Sequence, residues 1–252
     1  MISRHIFIKH LIAISLSTHL DTQPSKMTSN VKTIFLIRHA ESLENERLAC
    51  LTRSFRKMGS FKLPTKSDLY RSAELLNVYN QIDSPVSDVG QDQINQVGES
   101  LRKDNFLIKN NIQLIAHSPL LRARQTCEGM LRCVATPSND LPSPVKRVEE
   151  LSFLIEKTPS EWLPGNLTPF INRIKEFEAW ICNQPETNIA IVGHSQFFKK
   201  MLELNYKFGN CDVWQLSFDC NHESENCAVG DLPRGWRDME NLYKYERKEI
   251  VN

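Results

Sequence analysis

The chain has 252 residues, of which 24% are charged, with 31 Lys and Arg against 30 Asp and Glu for a formal net charge of +1. Acids and bases are interspersed, so there is no electrostatic footprint for nucleic acid or a lipid surface, and no apolar stretch is long enough to span a bilayer. The length suits one α/β domain with insertions, and seven cysteines without a regular framework read as reduced thiols rather than a secreted disulfide scaffold.

Residues 1–30 read as a leader or disordered extension, and 31–252 as the domain, with an insertion at about 46–82. Up to Leu20 the leader carries Arg4, Lys9 and several His, Ser and Thr, and its first acid is Asp21. That composition fits an organellar transit segment. Met27 is the alternative start. The expected compartment is the cytoplasm, with a mitochondrion or another organelle if residues 1–26 are a transit segment.

The apolar run from Thr33 to Ile37 ends abruptly in Arg38-His39-Ala40-Glu41-Ser42. A short β-branched and aromatic run of this kind is a buried strand, and open α/β sheets bind ligands at the C-terminal ends of their strands. An arginine beside a histidine there sets a permanent cation next to a nitrogen able to attack or to carry a proton, as phosphoryl chemistry requires. Taken alone, the pair also fits a surface salt-bridge partner.

Residues 48–63 are rich in Arg, Lys and Phe, including Arg53, Arg56, Lys57 and Lys62, and Pro64 breaks the segment. A solvated helical face is the simpler reading. A substrate lid, whose bases favour an acidic or multiply phosphorylated substrate, is the functional one. Residues 87–103 form an amphipathic helix through Val89, Ile94, Val97 and Leu101. Residues 112–116 make a strand, and Ser118-Pro119 read as a helix cap and first-turn proline that place Arg122 near the strand end. Residues 144–151 read as a strand with Glu149 and Glu150 at its end, where solvated carboxylates are the simpler reading, and 168–182 is a second amphipathic helix. The run 188–192 is a strand ending in Gly193-His194-Ser195, with a helix over 196–204, so His194 sits as His39 does. A late strand covers 210–218; the tail beyond has no assigned element.

Four motifs in order resemble the histidine phosphatase superfamily, in the branch that includes cofactor-dependent phosphoglycerate mutases. They are Arg38-His39 with Glu41, Ser42 and Asn45; the run from Asp83 to Gln93; Ser118-Pro119-Leu120 with Arg122, Ala123, Gln125 and Thr126; and Gly193-His194-Ser195. Alanine stands at Ala40 where the family has glycine. The resemblance implies a three-layer α/β/α sandwich with a mostly parallel central sheet, and catalysis without a metal or cofactor.

It also implies a phosphohistidine on His39, with Arg38, Arg122 and His194 around the phosphate and Asn45 and Gln93 in the pocket wall. The family's acid follows a strand, which points to Glu150, with Glu149 as runner-up. The expected activity is hydrolysis of a phosphomonoester, so the expected partner is a small phosphorylated substrate and neither nucleic acid nor membrane. A phosphoglycerate-type mutase and a catalytically silent phosphate-binding module are the alternatives. His117 reads as a core or sheet-edge histidine and Arg124 as solvated. His222 lies between Cys220 and Cys227, but the spacing lacks the paired C-x-x-C of a zinc site.

Overall fold

A computed structural model describes residues 30–60, 63–73, 83–133, 141–222 and 232–246. The leader, Lys62, part of the insertion and Cys227 lie outside these residues. The first strand, β1 (Val31–Arg38), is buried on both faces through Ile34 to Ile37. It leads into α1 (Leu43–Gly59), α2 (Lys66–Ala73), α3 (Asp88–Lys103) and the short α4 (Phe106–Lys109). Then come β2 (Leu114–His117), α5 (Leu121–Leu131), β3 (Arg147–Glu150), α6 (Thr168–Cys182), β4 (Asn188–Gly193) and α7 (Ser195–Met201). The strands β5 (Val213–Asp219) and β6 (Trp236–Tyr243) complete a six-stranded sheet of order β3-β2-β4-β1-β5-β6.

The four strands from β3 to β1 are parallel, and β5 and β6 add antiparallel at one side. Register fixes what meets at the edge. Arg38 pairs with Gly193, and His117 pairs with Val192 and Glu150. The C-terminal ends of all four parallel strands therefore line up, bringing the two histidine-bearing turns together.

Strand alternation divides the core into two layers. Ile34, Leu36, Ile189 and Ile191 face α6 and α7, where Phe177 and Phe197 pack edge to face. Phe35, Ile37, Ile115 and Val192 face α3, α4 and α5. This is the expected α/β/α sandwich.

Several sequence expectations shift in detail. Val89 lies on the exposed side of α3, whereas Ile94, Val97 and Leu101 are buried. Ser118 does not cap α5. That helix starts at Leu121, and the carboxylate of Asp83 accepts a hydrogen bond from the Leu121 backbone N–H. The helix after β4 ends at Met201. The unassigned tail supplies β6: Trp236 stacks on Phe218 with ring centroids 4.4 Å apart, and its indole N–H donates to Glu178 at 2.9 Å.

The cysteines also depart from the all-reduced reading. Cys182 and Cys220 form a disulfide joining the end of α6 to the end of β5, while Cys50, Cys127, Cys133 and Cys211 are free and buried. Cys220 is thereby unavailable to a zinc site with His222.

Candidate active site

His39 and His194 leave the ends of β1 and β4 and face each other with ring centroids 5.0 Å apart. Backbone bonds set both turns: His39 N–H donates to Gly193 O at 3.0 Å, and Asn210 Nδ2 donates to His39 O at 2.9 Å. The next residue, Ala40, donates its N–H to Thr126 Oγ1 at 2.9 Å, and that hydroxyl donates to Arg122 O at 2.7 Å. The first turn of α5 is thus tied to the His39 loop, and Arg122 comes with it. Gly90 lets α3 approach the same loop: a Cβ there would lie 2.1 Å from Glu41 O, so no larger residue fits this backbone.

The ring nitrogens of His39 have separate roles. Nδ1 lies 2.6 Å from Ala40 O, and a carbonyl only accepts, so Nδ1 carries the proton and a neutral ring keeps its lone pair on Nε2. Burial, followed by the charges of Arg122 and Arg38, holds the His39 pKa well below the ordinary histidine value. His194 is lowered likewise, first by burial and then by His39 and both arginines.

The site is rich in buried nitrogens lacking hydrogen-bond partners. Arg38 Nη1 donates to Phe208 O at 2.6 Å, but Arg38 Nε, Arg122 Nη1 and His194 Nδ1 have no hydrogen-bond partner among the described residues. Glu44 Oε2 approaches Arg122 Nη1 only to 3.7 Å, an ion pair outside hydrogen-bond range. Buried donors are normally satisfied, so orphans clustered beside a histidine pair call for an anion with several acceptor oxygens.

The expected acid lies elsewhere. Glu150 ends β3 with its side chain exposed, and Glu149 pairs with Arg147. Glu156 is the carboxylate at the site: it, His39 and His194 each offer an atom within 4.8 Å of the others. After β3 a 3-10 turn, Ser152–Leu154, turns the chain back over the strand ends. Lys157 N–H donates to Glu156 Oε1 at 3.1 Å, and the Gln196 N–H also reaches the carboxylate. Glu156 keeps partial exposure at the pocket mouth, yet its carboxyl is withdrawn enough from water that its pKa is raised, against the opposing pull of these bonds and of Arg122 and Arg38. The same three residues form a donor set of the kind that holds a metal ion. The two guanidinium groups acting on them weight the site toward an anion instead.

Asn45 and Gln93 shape the loop. Asn45 Oδ1 accepts from Ser42 N–H in the capping box of α1, and Gln93 Oε1 accepts from Glu41 N–H at 2.8 Å. His117 is buried, with Nδ1 2.9 Å from Ser118 O, and Arg124 is exposed beside Glu128. In the insertion, Arg53 and Lys57 pair with Asp68 across α1 and α2, while Arg56 is exposed. Sequence reasoning missed Ser118 and Glu156. The Ser118-Pro119 pair imitates a helix cap, and the return of Glu156 to the strand ends is set by contacts distant in sequence.

The model of the histidine phosphatase superfamily (branch 1) matches residues 71–143. No curated protein matches the sequence. Among solved structures, an Escherichia coli K-12 protein described as a candidate alpha-ribazole-5'-P phosphatase is 15% identical, with a TM-score of 0.47, over 75% of this chain and 91% of that one. The protein histidine phosphatase SixA in complex with tungstate is 16% identical, with a TM-score of 0.41, over 75% of this chain and 89% of its own. A mycobacterial glucosyl-3-phosphoglycerate phosphatase is 14% identical, with a TM-score of 0.44, over 83% and 97%. The matched segment carries Asp83, Gln93 and Arg122, and over these residues the chain is similar to the histidine phosphatase superfamily.

Proposed function

We propose that this chain is a metal-independent phosphomonoesterase working through a phosphohistidine on His39. The observation that carries the reading is the set of buried, unpartnered nitrogens of Arg38, Arg122 and His194 around a histidine whose Nε2 lone pair is free. A phosphoryl group in transfer spreads negative charge over its equatorial oxygens, and fixed cations in a dry pocket stabilise that charge.

In the first step His39 Nε2 forms a bond to phosphorus while the bond to the ester oxygen breaks. Glu156 gives its proton to the departing oxygen, releasing the alcohol. In the second step Glu156, now a carboxylate, takes a proton from water as the water oxygen bonds to phosphorus. The N–P bond breaks, the electron pair returns to His39, and inorganic phosphate leaves. Glu156 takes this role in place of Glu150 because it lies with the histidines and burial raises its pKa.

The experiment is hydrolysis of an aryl phosphate in excess chelator by the wild type and His39→Ala, with acid-quench trapping of labelled enzyme. The proposal expects chelator-resistant turnover, label on the wild type and neither in His39→Ala. Return of label to an acceptor alcohol instead of water would make the chain a phosphomutase. A wild type that binds phosphate but neither turns over nor becomes labelled would be the silent binding module.

A further inference from the structure

Ser118 ends no helix and faces no solvent; it is fully buried at the end of β2. Its Oγ lies 2.8 Å from His194 Nε2 and accepts the Leu120 backbone N–H at 3.3 Å. A hydroxyl has one proton to give. With one lone pair of Ser118 occupied by Leu120, the acceptor the hydrogen bonds show for that proton is His194 Nε2. The imidazole then carries its own proton on Nδ1, the buried atom left without a partner beside His39.

We infer that Ser118 is a positioning residue that selects the Nδ1–H tautomer of His194 and so aims a neutral donor at the bound phosphoryl group. The inference rests on the proposed phosphate-binding pocket and adds what the histidine pair alone leaves open, namely which nitrogen of His194 faces the ligand and why. Without the hydroxyl, Nε2 would carry the proton as readily, and Nδ1 would turn a lone pair toward phosphate oxygens. Two lone pairs facing each other repel, so the tautomer decides whether His194 helps or hinders. The backbone supports the arrangement independently: Ser118 N–H donates to Val192 O at 3.0 Å, fixing the serine against the strand that delivers His194. His39 is set in the same sense by Ala40 O. The two rings thus present opposite functions to the pocket, a lone pair from His39 and a donor from His194.

The test is nitrogen-15 NMR of the imidazoles in the full-length wild type at neutral pH, with His194 assigned by the signal lost in His194→Asn. The expected result is a protonated Nδ1 and an unprotonated Nε2 on His194. In Ser118→Ala the tautomer should shift toward Nε2–H or average, and inhibition by inorganic phosphate should weaken about ten- to a hundredfold, the range for losing a hydrogen bond to a charged group. An Nε2–H tautomer in the wild type overturns the inference. So does a Ser118→Ala protein with unchanged tautomer or unchanged phosphate affinity. The wild-type spectrum requires no turnover, so its failure is separate from any failure of the phosphohistidine reading.

Discussion

Glu156 and Glu150 are six residues apart in the chain and differ in what a lost carboxyl should do. Glu156→Gln removes the proton donor, so kcat/KM for an alkyl phosphate is expected to fall about a hundredfold or more, within the range for general acid catalysis. For an aryl phosphate, whose leaving group needs little protonation, the loss should stay below about tenfold, and Glu150→Gln should remain within about twofold on both. Steady-state kinetics on the two ester classes checks this, and a large effect at Glu150 would restore the strand-end acid. The pH profile follows from the same two groups. His39 attacks only when unprotonated, and burial with Arg122 and Arg38 puts its pKa well below the ordinary histidine value, so the acid limb of kcat/KM lies below the range of a free histidine. Glu156 donates only when protonated, and burial raises its pKa above the usual glutamate value, so the alkaline limb for alkyl esters starts above the usual glutamate range. Glu156→Gln should flatten the alkaline limb and leave the acid limb in place.

At the scale of elements, the acid depends on α6 although no residue of α6 belongs to the phosphate pocket. Arg173 donates to Phe153 O at 3.1 Å and to Ile155 O at 2.7 Å, and its other terminal nitrogen pairs with Glu161 at 2.7 Å. One guanidinium thus staples the loop that returns Glu156 to the strand ends. Burial alone would raise the Glu161 carboxyl, but the bonds from Arg173 and Thr158 prevail and hold its pKa below the ordinary value. Its contribution to stability is accordingly present above the unfolded carboxyl pKa and is lost as the pH falls through the lower folded value. Arg173→Met should cost about 2–3 kcal/mol, because it leaves a buried carboxylate without its cation and two carbonyls without their donor. The same variant should lower kcat on alkyl esters while sparing aryl esters, since it displaces the acid and leaves His39 in place. Denaturant unfolding and the two substrate classes measure these effects separately. This loop also marks a limit of sequence reading. The strands β1 and β4 and the helices α3 and α6 were legible because continuous apolar runs and 3.6-residue periodicity record their burial. The turn over residues 151–158 carries no such periodicity, because an arginine about twenty residues away sets its path. Ser118 was misread because a cap and a buried hydroxyl bonded to histidine share the same local sequence.

Across the whole molecule, the parallel register separates chemistry from anchorage. Arg38, Gly193 and His117 define the edge that carries the candidate site, whereas Val31, Asn188 and Asp219 lie toward the other end of the sheet, where Val31 pairs with Asp219 and Thr33 with Asn188. The Cys182–Cys220 disulfide lies at that far end, beside the entry to β4 and the exit from β5, and closes a separation of 38 residues. Sequence alone concealed it because an odd cysteine count without regular spacing specifies no pairing, whereas the fold brings the ends of α6 and β5 together. The same end holds the tail: Trp236 stacks on Phe218, and Arg234 and Trp236 both bind Glu178 of α6. A cross-link there restricts the unfolded chain and ties the helix layer to the antiparallel side of the sheet, contributing about 2–4 kcal/mol for a loop of this size. Cys182→Ala with Cys220→Ala, or the reduced wild type, is therefore expected to unfold at lower denaturant by that amount. Aryl phosphate turnover at 25 °C should remain within about twofold, because the histidines and arginines are held by backbone bonds at the opposite edge. Parallel unfolding and kinetic measurements decide the point. Stability lost together with turnover would mean that the two ends of the sheet are coupled, and the separation drawn from the register would fail.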